Sequence, residues 1–282
     1  MRFQIGAMSV GDILDRGLKL LFTRLGTFYA IDLIFLGPMI LLHLFAPIIG
    51  GSQGTVTAIE LLANLFTNLV LQPLATAAQL HVVAQEFVDR RVGIGDAIAF
   101  ALRRFGALFG ASMLVGVIVV AVLAVCFVPM IIIPLLGFVF MPVAIVLIVM
   151  IMVWYIFISQ VVVVEGAGPG QALTRSKALT EGFRGRVLGV LLLVIVTGII
   201  IGVAAGLFQS VLPIHDAGGN LNFGNYATTT ILSQLAAILV QTYFAICWTL
   251  FYFDIRIRKE GFDLELLAKQ QATEHEKLGE TL

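Results

Sequence analysis

The sequence predicts an all-α polytopic membrane protein with six transmembrane helices, arranged as three hairpins that are each preceded by a cytoplasmic amphipathic interfacial helix. The first supporting observation is the 60-residue run from Phe105 to Val164, which contains no Asp, Glu, Lys, Arg or His. A helix crosses a bilayer core of about 30 Å with about 20 residues, so this run holds two spans. The second is composition: 60% of the 282 residues are hydrophobic and only 12% are charged, about half of the roughly 25% usual in soluble domains.

The third observation is the placement of the basic residues. All 17 Lys and Arg residues fall in four clusters. The clusters are Arg2–Arg24, Arg90–Arg104, Arg175–Arg186 and Arg256–Lys277. With six spans the four clusters share one side, whereas the turns near Gly51, Pro129 and Gly218 on the other side contain no basic residue. The positive-inside rule then places both termini in the cytoplasm, and we expect a multi-pass protein of the bacterial inner membrane.

The elements follow one another as a weak internal repeat. The first interfacial helix is predicted over Ser9–Arg24, with Ser9 as its cap and Asp12 in its first turn. The expected spans are Gly26–Ile49, Val56 to about Asp89, two spans between Phe105 and Val164 that reverse from Val128–Met130 to Pro134, Val187–Val211, and Thr228–Phe253. We predict one membrane domain, residues 1–260, with repeat units of about 9–92, 93–167 and 168–260, and an amphipathic, charged tail over 261–282.

The second span is the most polar of the six. Glu60, Asn64, Asn68, Gln72 and Thr76 recur every four residues, which keeps their side chains on one slowly turning stripe of a helix. Such a stripe is costly against lipid, so it should face protein or water. Two interpretations stay open: a polar pathway or headgroup groove, and interhelical hydrogen bonding that holds the spans together.

An acidic residue, Asp32, lies within the first span. An ionisable residue inside a span is by default a candidate functional residue. Asp32 follows Gly26 by only six residues, so it could also lie at headgroup depth near Arg24 or Arg104 and serve a structural role. We therefore carry both hypotheses for Asp32.

Basic residues and glycines mark two further features. Arg103, Arg104, Arg175, Arg184 and Arg186 lie where the chain meets the predicted cytoplasmic surface, and they could either contact phosphate headgroups or only fix the topology. In the fifth span, small residues recur at steps of four, which predicts close helix packing. These are Gly198, Gly202 and Gly206.

The sequence carries no signature of a chemical reaction. It lacks a phosphate-binding Gly-Lys-Ser/Thr loop, a zinc-protease His pair and a hydrolase Gly-x-Ser-x-Gly. The two cysteines, Cys126 and Cys247, lie in apolar runs far apart, which indicates buried small side chains and not a zinc site. We therefore expect no catalytic residue, metal or cofactor, and a net charge of zero suggests no nucleic acid partner.

Two stretches together carry a family resemblance. The segments are EGAGPGQALTRSKALTEGFRGRVLG, residues 165–189, and YFDIRIRKEGFDLELLA, residues 252–268. Over roughly the last 120 residues the chain resembles the membrane domain associated with some glycerophosphodiester phosphodiesterases, which also occurs as stand-alone proteins. The resemblance implies an integral membrane role. The phosphodiesterase of that family is a separate barrel domain, so none of its catalytic residues transfers to this chain.

These features lead to one expected function and two alternatives. We expect a non-enzymatic scaffold or lipid-associated module, whose partners are membrane lipids and other membrane or envelope proteins that bind its cytoplasmic collar of amphipathic helices. The first alternative is a transporter or lipid-translocating protein that uses the polar stripe with Asp32. The second is an intramembrane enzyme that acts on a lipid phosphodiester.

Overall fold

Ten helices make up most of the chain in the computed structural model, which describes residues 6–88, 90–133, 135, 137–212, 221–261 and 264. The helices are α1 Val10–Thr23, α2 Leu25–Gly50, α3 Gln53–Phe66, α4 Gln72–Phe87, α5 Ile94–Ile132, α6 Gly137–Tyr155, α7 Ile158–Gln160, α8 Pro169–Thr180, α9 Arg184–Val211 and α10 Phe223–Glu260. Two π-helical segments complete the order. Thr67–Leu71 joins α3 to α4, and Val161–Glu165 follows α7.

Six helical stretches are long and apolar enough to cross a membrane. They are Leu25–Gly50, Gly54–Phe87, Ile94–Ile131, Gly137–Glu165, Arg184–Ala204 and Phe223–Glu260. The predicted class of an all-α, multi-pass membrane protein is confirmed at this level. The tail predicted over 261–282 falls almost entirely outside the described residues, as does the predicted loop around Gly218.

Helix α1 begins as the sequence predicts. The Ser9 hydroxyl accepts the Asp12 N–H at 3.1 Å, and the Asp12 carboxylate accepts the Ser9 N–H at 2.9 Å, so two N–H groups at this helix end gain a partner. The helix then packs against α10. Gly17 lies at the contact, where a Cβ would stand only 2.7 Å from the Cys247 sulfur. The missing side chain therefore permits the close approach of the two helices.

The second of the three segments predicted to be interfacial differs from the first and third. Arg24 interrupts the helical backbone between α1 and α2, and Gly182, at φ 87°, separates α8 from α9. Nothing breaks the helix between Ile94 and Ile132, so α5 continues for 39 residues, about 58 Å at 1.5 Å per residue. The amphipathic stretch predicted before the third span is therefore the first part of α5 and not a separate helix.

The prolines change the geometry less than the sequence suggests. The predicted reversal starts too early at Val128–Met130, because α5 passes Pro129 and ends at Ile132. Since α6 begins at Gly137, the break between the two helices falls at the later end of the predicted range. Proline removes one backbone hydrogen bond, but ending the helix inside lipid would expose several unsatisfied groups. Pro73 has a different effect, since the backbone just before it forms the π-helical segment Thr67–Leu71. The last span also starts earlier than predicted, at Phe223.

The core lies towards one end of the bundle. Buried side chains concentrate in α1, α4, the stretch from Phe157 to Val163 and the second half of α10. Aromatic rings fill this core, and the rings of Phe87 and Phe253 stack with centroids 4.3 Å apart. Arg24, Arg104, Arg186 and Arg256 lie at the same end, which we call the basic end. Large apolar side chains on α5, α6 and α9 are exposed over most of their length, as expected for helices that face lipid.

Candidate functional site at the basic end

A cavity of about 300 Å³ opens at the basic end between α4, α5 and the π-helical segment before Gly166. We call it the interfacial cavity. Its polar lining comes from His81, Gln85, Arg104 and Glu165. Apolar side chains, including Phe100 and Phe253, complete the wall. A site with apolar walls and a few convergent polar groups is typical of ligand pockets in proteins.

Arg104 is the cation of the interfacial cavity. It is the last charged residue before the uncharged run of α5. One of its terminal nitrogens, Nη1, donates to the Gly166 carbonyl at 3.1 Å, and its guanidinium carbon lies 6.0 Å from the centre of the Phe100 ring. Among the described residues, Arg104 forms no ion pair. Its charge is therefore not neutralised by a carboxylate of the described chain.

The turn at Gly166 holds Arg104 in place. Gly166 has φ 72°, a left-handed conformation that glycine adopts most easily. A Cβ on this residue would lie 2.8 Å from Nη2 of Arg104. The backbone conformation therefore favours glycine here, and a Cβ would push the end of the Arg104 side chain aside.

Aromatic stacking forms the adjacent wall. The imidazole of His81 on α4 stacks on the Phe100 ring of α5 with centroids 3.9 Å apart and planes 10° from parallel. Because Phe100 also contacts Arg104, three side chains from two helices form one continuous surface. The sequence pointed to Arg104 but gave no reason to single out His81 or Phe100, which join it only through helix packing.

Glu165 closes the other side of the interfacial cavity, but its charge is already neutralised. Its carboxylate accepts Arg175 Nε at 2.8 Å and the Tyr252 hydroxyl at 2.7 Å. Arg175 also pairs with Glu260 at 2.6 Å. Hydrogen bonds to Glu165 and then to Glu260 raise the pKa of the Arg175 guanidinium. Arg175 therefore ties α8 to the end of α10 and to Glu165, and its donors are engaged within the chain.

Arg186 likewise binds groups of its own chain. It pairs with the fully buried Asp254 at 3.0 Å and donates to the Met8 carbonyl at 2.7 Å. Arg258 binds the same carboxylate at 3.0 Å. We call Met8, Arg186, Asp254 and Arg258 the N-terminal clamp. Of the five predicted headgroup residues, the structure thus leaves Arg103, Arg104 and Arg184 outside carboxylate ion pairs among the described residues, and only Arg104 lines the interfacial cavity.

Asp32 is buried and hydrogen bonded within the helix bundle. Its Oδ2 accepts Gln79 Nε2 at 2.7 Å and the Thr242 hydroxyl at 2.8 Å. Gln79 also donates to Thr242 at 3.1 Å. The three residues join α2, α4 and α10, and all three are at most 3% exposed. The expected neighbours Arg24 and Arg104 are not its partners, since Arg24 pairs with Glu86 at 2.7 Å.

The predicted polar stripe does not meet Asp32. Asn64 and Asn68 are exposed, and each amide donates to the backbone carbonyl four residues earlier, at 2.8 and 2.7 Å. Gln72 and Thr76 are half-buried and bond only weakly to each other, at 3.4 Å. Glu60 is also half-buried. The stripe therefore runs along the outside of the span and ends where the buried Gln79 begins the Asp32 cluster.

The remaining predicted features lie apart from the interfacial cavity. At Gly198, Gly202 and Gly206 a Cβ would meet no atom within 4 Å in the described structure, so close packing of this face stays a prediction. Cys126 and Cys247 are separate, buried free thiols. Within the described ranges no three His, Cys, Asp or Glu side chains are grouped so as to hold a metal ion.

Sequence reasoning missed several residues that the structure places at this end of the bundle. Asp254 and Glu86 could have been found from the sequence, because each is an acidic residue at the end of a span with basic residues nearby. A buried acidic residue in such a position needs a basic partner. Gln79 lay on the same helix as the predicted stripe. Thr242 carried no distinguishing pattern, since its role depends on which helices pack together.

Comparison with known proteins places the chain in a family. Residues 8–255 match a family described as a domain of unknown function, DUF7847. Neither a curated protein nor a solved structure matches the chain. The matched region begins at Met8 of the N-terminal clamp and includes the interfacial cavity, the Asp32 cluster and nearly all of α10. The chain therefore belongs to the DUF7847 family.

Proposed function

We propose that this protein is a non-enzymatic membrane module that binds the phosphate headgroup of an anionic lipid at its basic end and acts as a scaffold there. The observation that carries the proposal is Arg104 in the interfacial cavity, a cation without a carboxylate partner among the described residues, at the border of the uncharged part of α5. A guanidinium recognises phosphate through directed, charge-assisted hydrogen bonds. The neighbouring apolar wall suits the start of a lipid's acyl region.

Native mass spectrometry of the detergent-purified protein tests this proposal. The protein is titrated with phosphatidylglycerol and, separately, with phosphatidylcholine, and we expect preferential retention of phosphatidylglycerol. Arg104→Gln should weaken that binding about tenfold or more, because a charge-assisted hydrogen bond contributes about 1.5–3 kcal/mol. Arg103→Gln is the matched control. Its exposed side chain contributes only general surface attraction, so we expect a smaller effect.

Two outcomes would contradict this site. Equal losses for Arg103→Gln and Arg104→Gln would mean that only the surface charge attracts the lipid. If inorganic phosphate displaced the lipid at low concentration, or bound equally well, the ligand would be a free phosphate and not a headgroup. Thermal unfolding of each variant, measured in parallel, would show whether a loss of binding reflects a loss of fold.

The scaffold role rests on the rigidity of the basic end. The N-terminal clamp fixes the chain before α1, while Arg175, Glu165 and Glu260 fix α8 to α10. We propose that this surface is cytoplasmic, with both termini on the same side, and that it contacts membrane or envelope proteins. A cysteine introduced at Gly261 should be protected from impermeant maleimide in intact cells, whereas one at Gly218 should react; the reverse pattern would overturn the orientation.

A transporter remains the alternative, because Asn64 and Asn68 expose amides on the surface of a span. Replacing both by leucine would abolish transport of any species that uses the stripe. A lipid-bound scaffold that depends on Arg104 should keep its lipid after the same change. The resemblance of residues 165–189 and 252–268 to the membrane domain associated with glycerophosphodiester phosphodiesterases agrees with a lipid-associated role and stays a hypothesis.

A further inference from the structure

The second span, Gly54–Phe87, is more exposed in its first half than its polarity allows in a lipid bilayer, whereas α4 in its second half belongs to the core. It has the lowest mean hydropathy of the six candidate spans, yet only 6% of its most apolar window is buried. The next most polar span, α10, is 44% buried over the corresponding window. The third span is as exposed as the second but far more apolar. Among the six candidate spans, only the first half of the second combines the polarity of an inner helix with the exposure of an outer one.

The exposed polarity of this span comes from two amides. Asn64 and Asn68 lie 11 and 15 residues after the first residue of α3, so they stand about 16 and 22 Å along the helix. Both positions fall inside a hydrocarbon layer of about 30 Å. Glu60 is half-buried by its own chain, which leaves the asparagines as the exposed polar side chains at this depth of the helix.

Each amide retains unused hydrogen-bonding capacity. An asparagine amide has two N–H donors and a carbonyl acceptor. Asn64 and Asn68 each use one N–H on a backbone carbonyl of the preceding turn. No other partner in the described part of the chain binds either amide in this structure. Lipid tails offer neither donors nor acceptors, so a second N–H and the Oδ1 atom of each residue need a polar partner within the membrane.

We propose that this face of α3 and of the π-helical segment after it pairs with the same face of a second copy of the chain. An amide is donor and acceptor at once, so a face that carries amides is complementary to itself. A two-fold axis along the membrane normal would bring Asn64 and Asn68 opposite their counterparts, as in an isologous interface. Leu61 and Leu65, which are 60% and 49% exposed, flank the amides and would pack around them.

A second copy fits this face better than lipid or water. Lipid leaves the amides unsatisfied. A water-filled groove would need polar walls on both sides, whereas the exposed neighbours on α3 are Leu61, Leu62, Leu65 and Phe66. Apolar flanks around a short polar ladder are typical of interhelical contacts in membranes. This interface is independent of the interfacial cavity, because it involves a different segment of the chain.

Disulfide cross-linking in native membranes provides the first test. The full-length chain carrying Asn68→Cys or Leu65→Cys is oxidised with copper phenanthroline, and we expect a covalent dimer on non-reducing gels. Val117→Cys on α5 is the matched control, since Val117 is 62% exposed on another apolar span, and it should yield no dimer. The unmodified chain controls for Cys126 and Cys247, which are buried.

Sedimentation in detergent provides the second test. The double variant Asn64→Leu with Asn68→Leu should raise the dimer dissociation constant about tenfold. The free energy that interhelical hydrogen bonds contribute in membranes corresponds to a change of about this size when both amides are removed. Circular dichroism confirms that the variant keeps its helices. Three results would overturn the proposal. The first is that cysteines at positions 65 and 68 form no cross-link and react instead with a water-soluble maleimide, which would mean that the face is in contact with water. The second is a cross-link to a different protein, and the third is an unmodified chain that sediments as a monomer.

Discussion

Asp254 on α10 accepts the backbone N–H of Met8 at 2.7 Å, although 246 residues separate them. The carbonyl of Met8 is bound at the same place by Arg186 at 2.7 Å and by Arg258 at 3.0 Å. Both polar backbone groups of Met8 are thus satisfied by side chains from α9 and α10. The chain before α1 is therefore part of the folded core at the basic end, and its position depends on the last span.

Replacing Asp254 by asparagine should destabilise the protein. The carboxylate is fully buried and receives hydrogen bonds or ion pairs from Met8, Arg186 and Arg258. The substitution removes the negative charge that Arg186 and Arg258 share, and their side chains are 25% and 32% exposed. Because solvent screens both arginines but the carboxylate is buried, we expect a loss of about 1–3 kcal/mol, which thermal unfolding in detergent should register as a clear fall in Tm.

Asp15→Asn is the matched control for Asp254. Asp15 also pairs with a basic residue, Lys19 at 2.6 Å, but both side chains are nearly 60% exposed. Exposed pairs four residues apart in a helix contribute only about 0.3–0.5 kcal/mol. If Asp254→Asn changed Tm no more than Asp15→Asn, the N-terminal clamp would have no structural importance.

Two substitutions of Asp32 separate its structural role from a functional one. Gln79 and Thr242 both donate to one oxygen of Asp32. Asp32→Asn keeps an acceptor oxygen in that place, so we expect nearly unchanged stability. Asp32→Leu leaves two buried donors unsatisfied and should lower stability by about 1–3 kcal/mol each. Chemical unfolding of the purified protein measures both changes.

Activity or lipid binding measured on the same two variants gives the complementary result. A structural Asp32 predicts that Asp32→Asn behaves like the unmodified protein in every assay. A loss of function in Asp32→Asn at unchanged stability would show that the charge itself is used. The cluster with Gln79 and Thr242 would then be a functional site and not only a contact between three helices.

Hydropathy and capping predicted the local structure well because both depend on neighbouring residues. The six apolar stretches and the Ser9 cap of α1 follow from patterns that extend over a few helical turns. The reversal at Pro129 was misplaced for the opposite reason. A proline usually ends a helix in water, but in an apolar environment continuing the helix costs less than leaving backbone groups unpaired.

The roles of the arginines could not be predicted from their positions along the chain. Arg104, Arg175 and Arg186 all lie near the start of an apolar stretch or of α8. Only the packing of α8 against α10 brings Arg175 to Glu260, and only the path of residues before α1 brings Arg186 to Met8. Arg104 remained without an acidic partner among the described residues because Glu165 is taken by Arg175 and Tyr252.

The contact between α8 and α10 should be measurable as a coupling energy. Arg175→Gln and Glu260→Gln are made singly and together, and thermal unfolding gives the stability of each protein. Both side chains are partly exposed, at 33% and 26%, so solvent screening limits the expected coupling to about 0.5–1 kcal/mol. Additive effects, with no coupling, would mean that α8 is held by its apolar face and not by this ion pair.

Gly166→Ala should disturb the interfacial cavity more than any other small substitution near it. Alanine at φ 72° is strained by about 1–2 kcal/mol, and its Cβ would lie 2.8 Å from the Arg104 guanidinium. We therefore expect both a lower Tm and weaker binding of phosphatidylglycerol, as Arg104 is displaced.

Two other glycines separate these effects. Gly182→Ala, at φ 87° and with no atom near its Cβ, should lower Tm while leaving lipid binding unchanged. Gly168→Ala has ordinary φ −72° and open space, so it should leave lipid binding unchanged and lower Tm only slightly, through the N-cap of α8. If Gly166→Ala lowered Tm like Gly182→Ala but bound lipid normally, the contact between Gly166 and Arg104 would not position the cation, and the interfacial cavity would not be the lipid site.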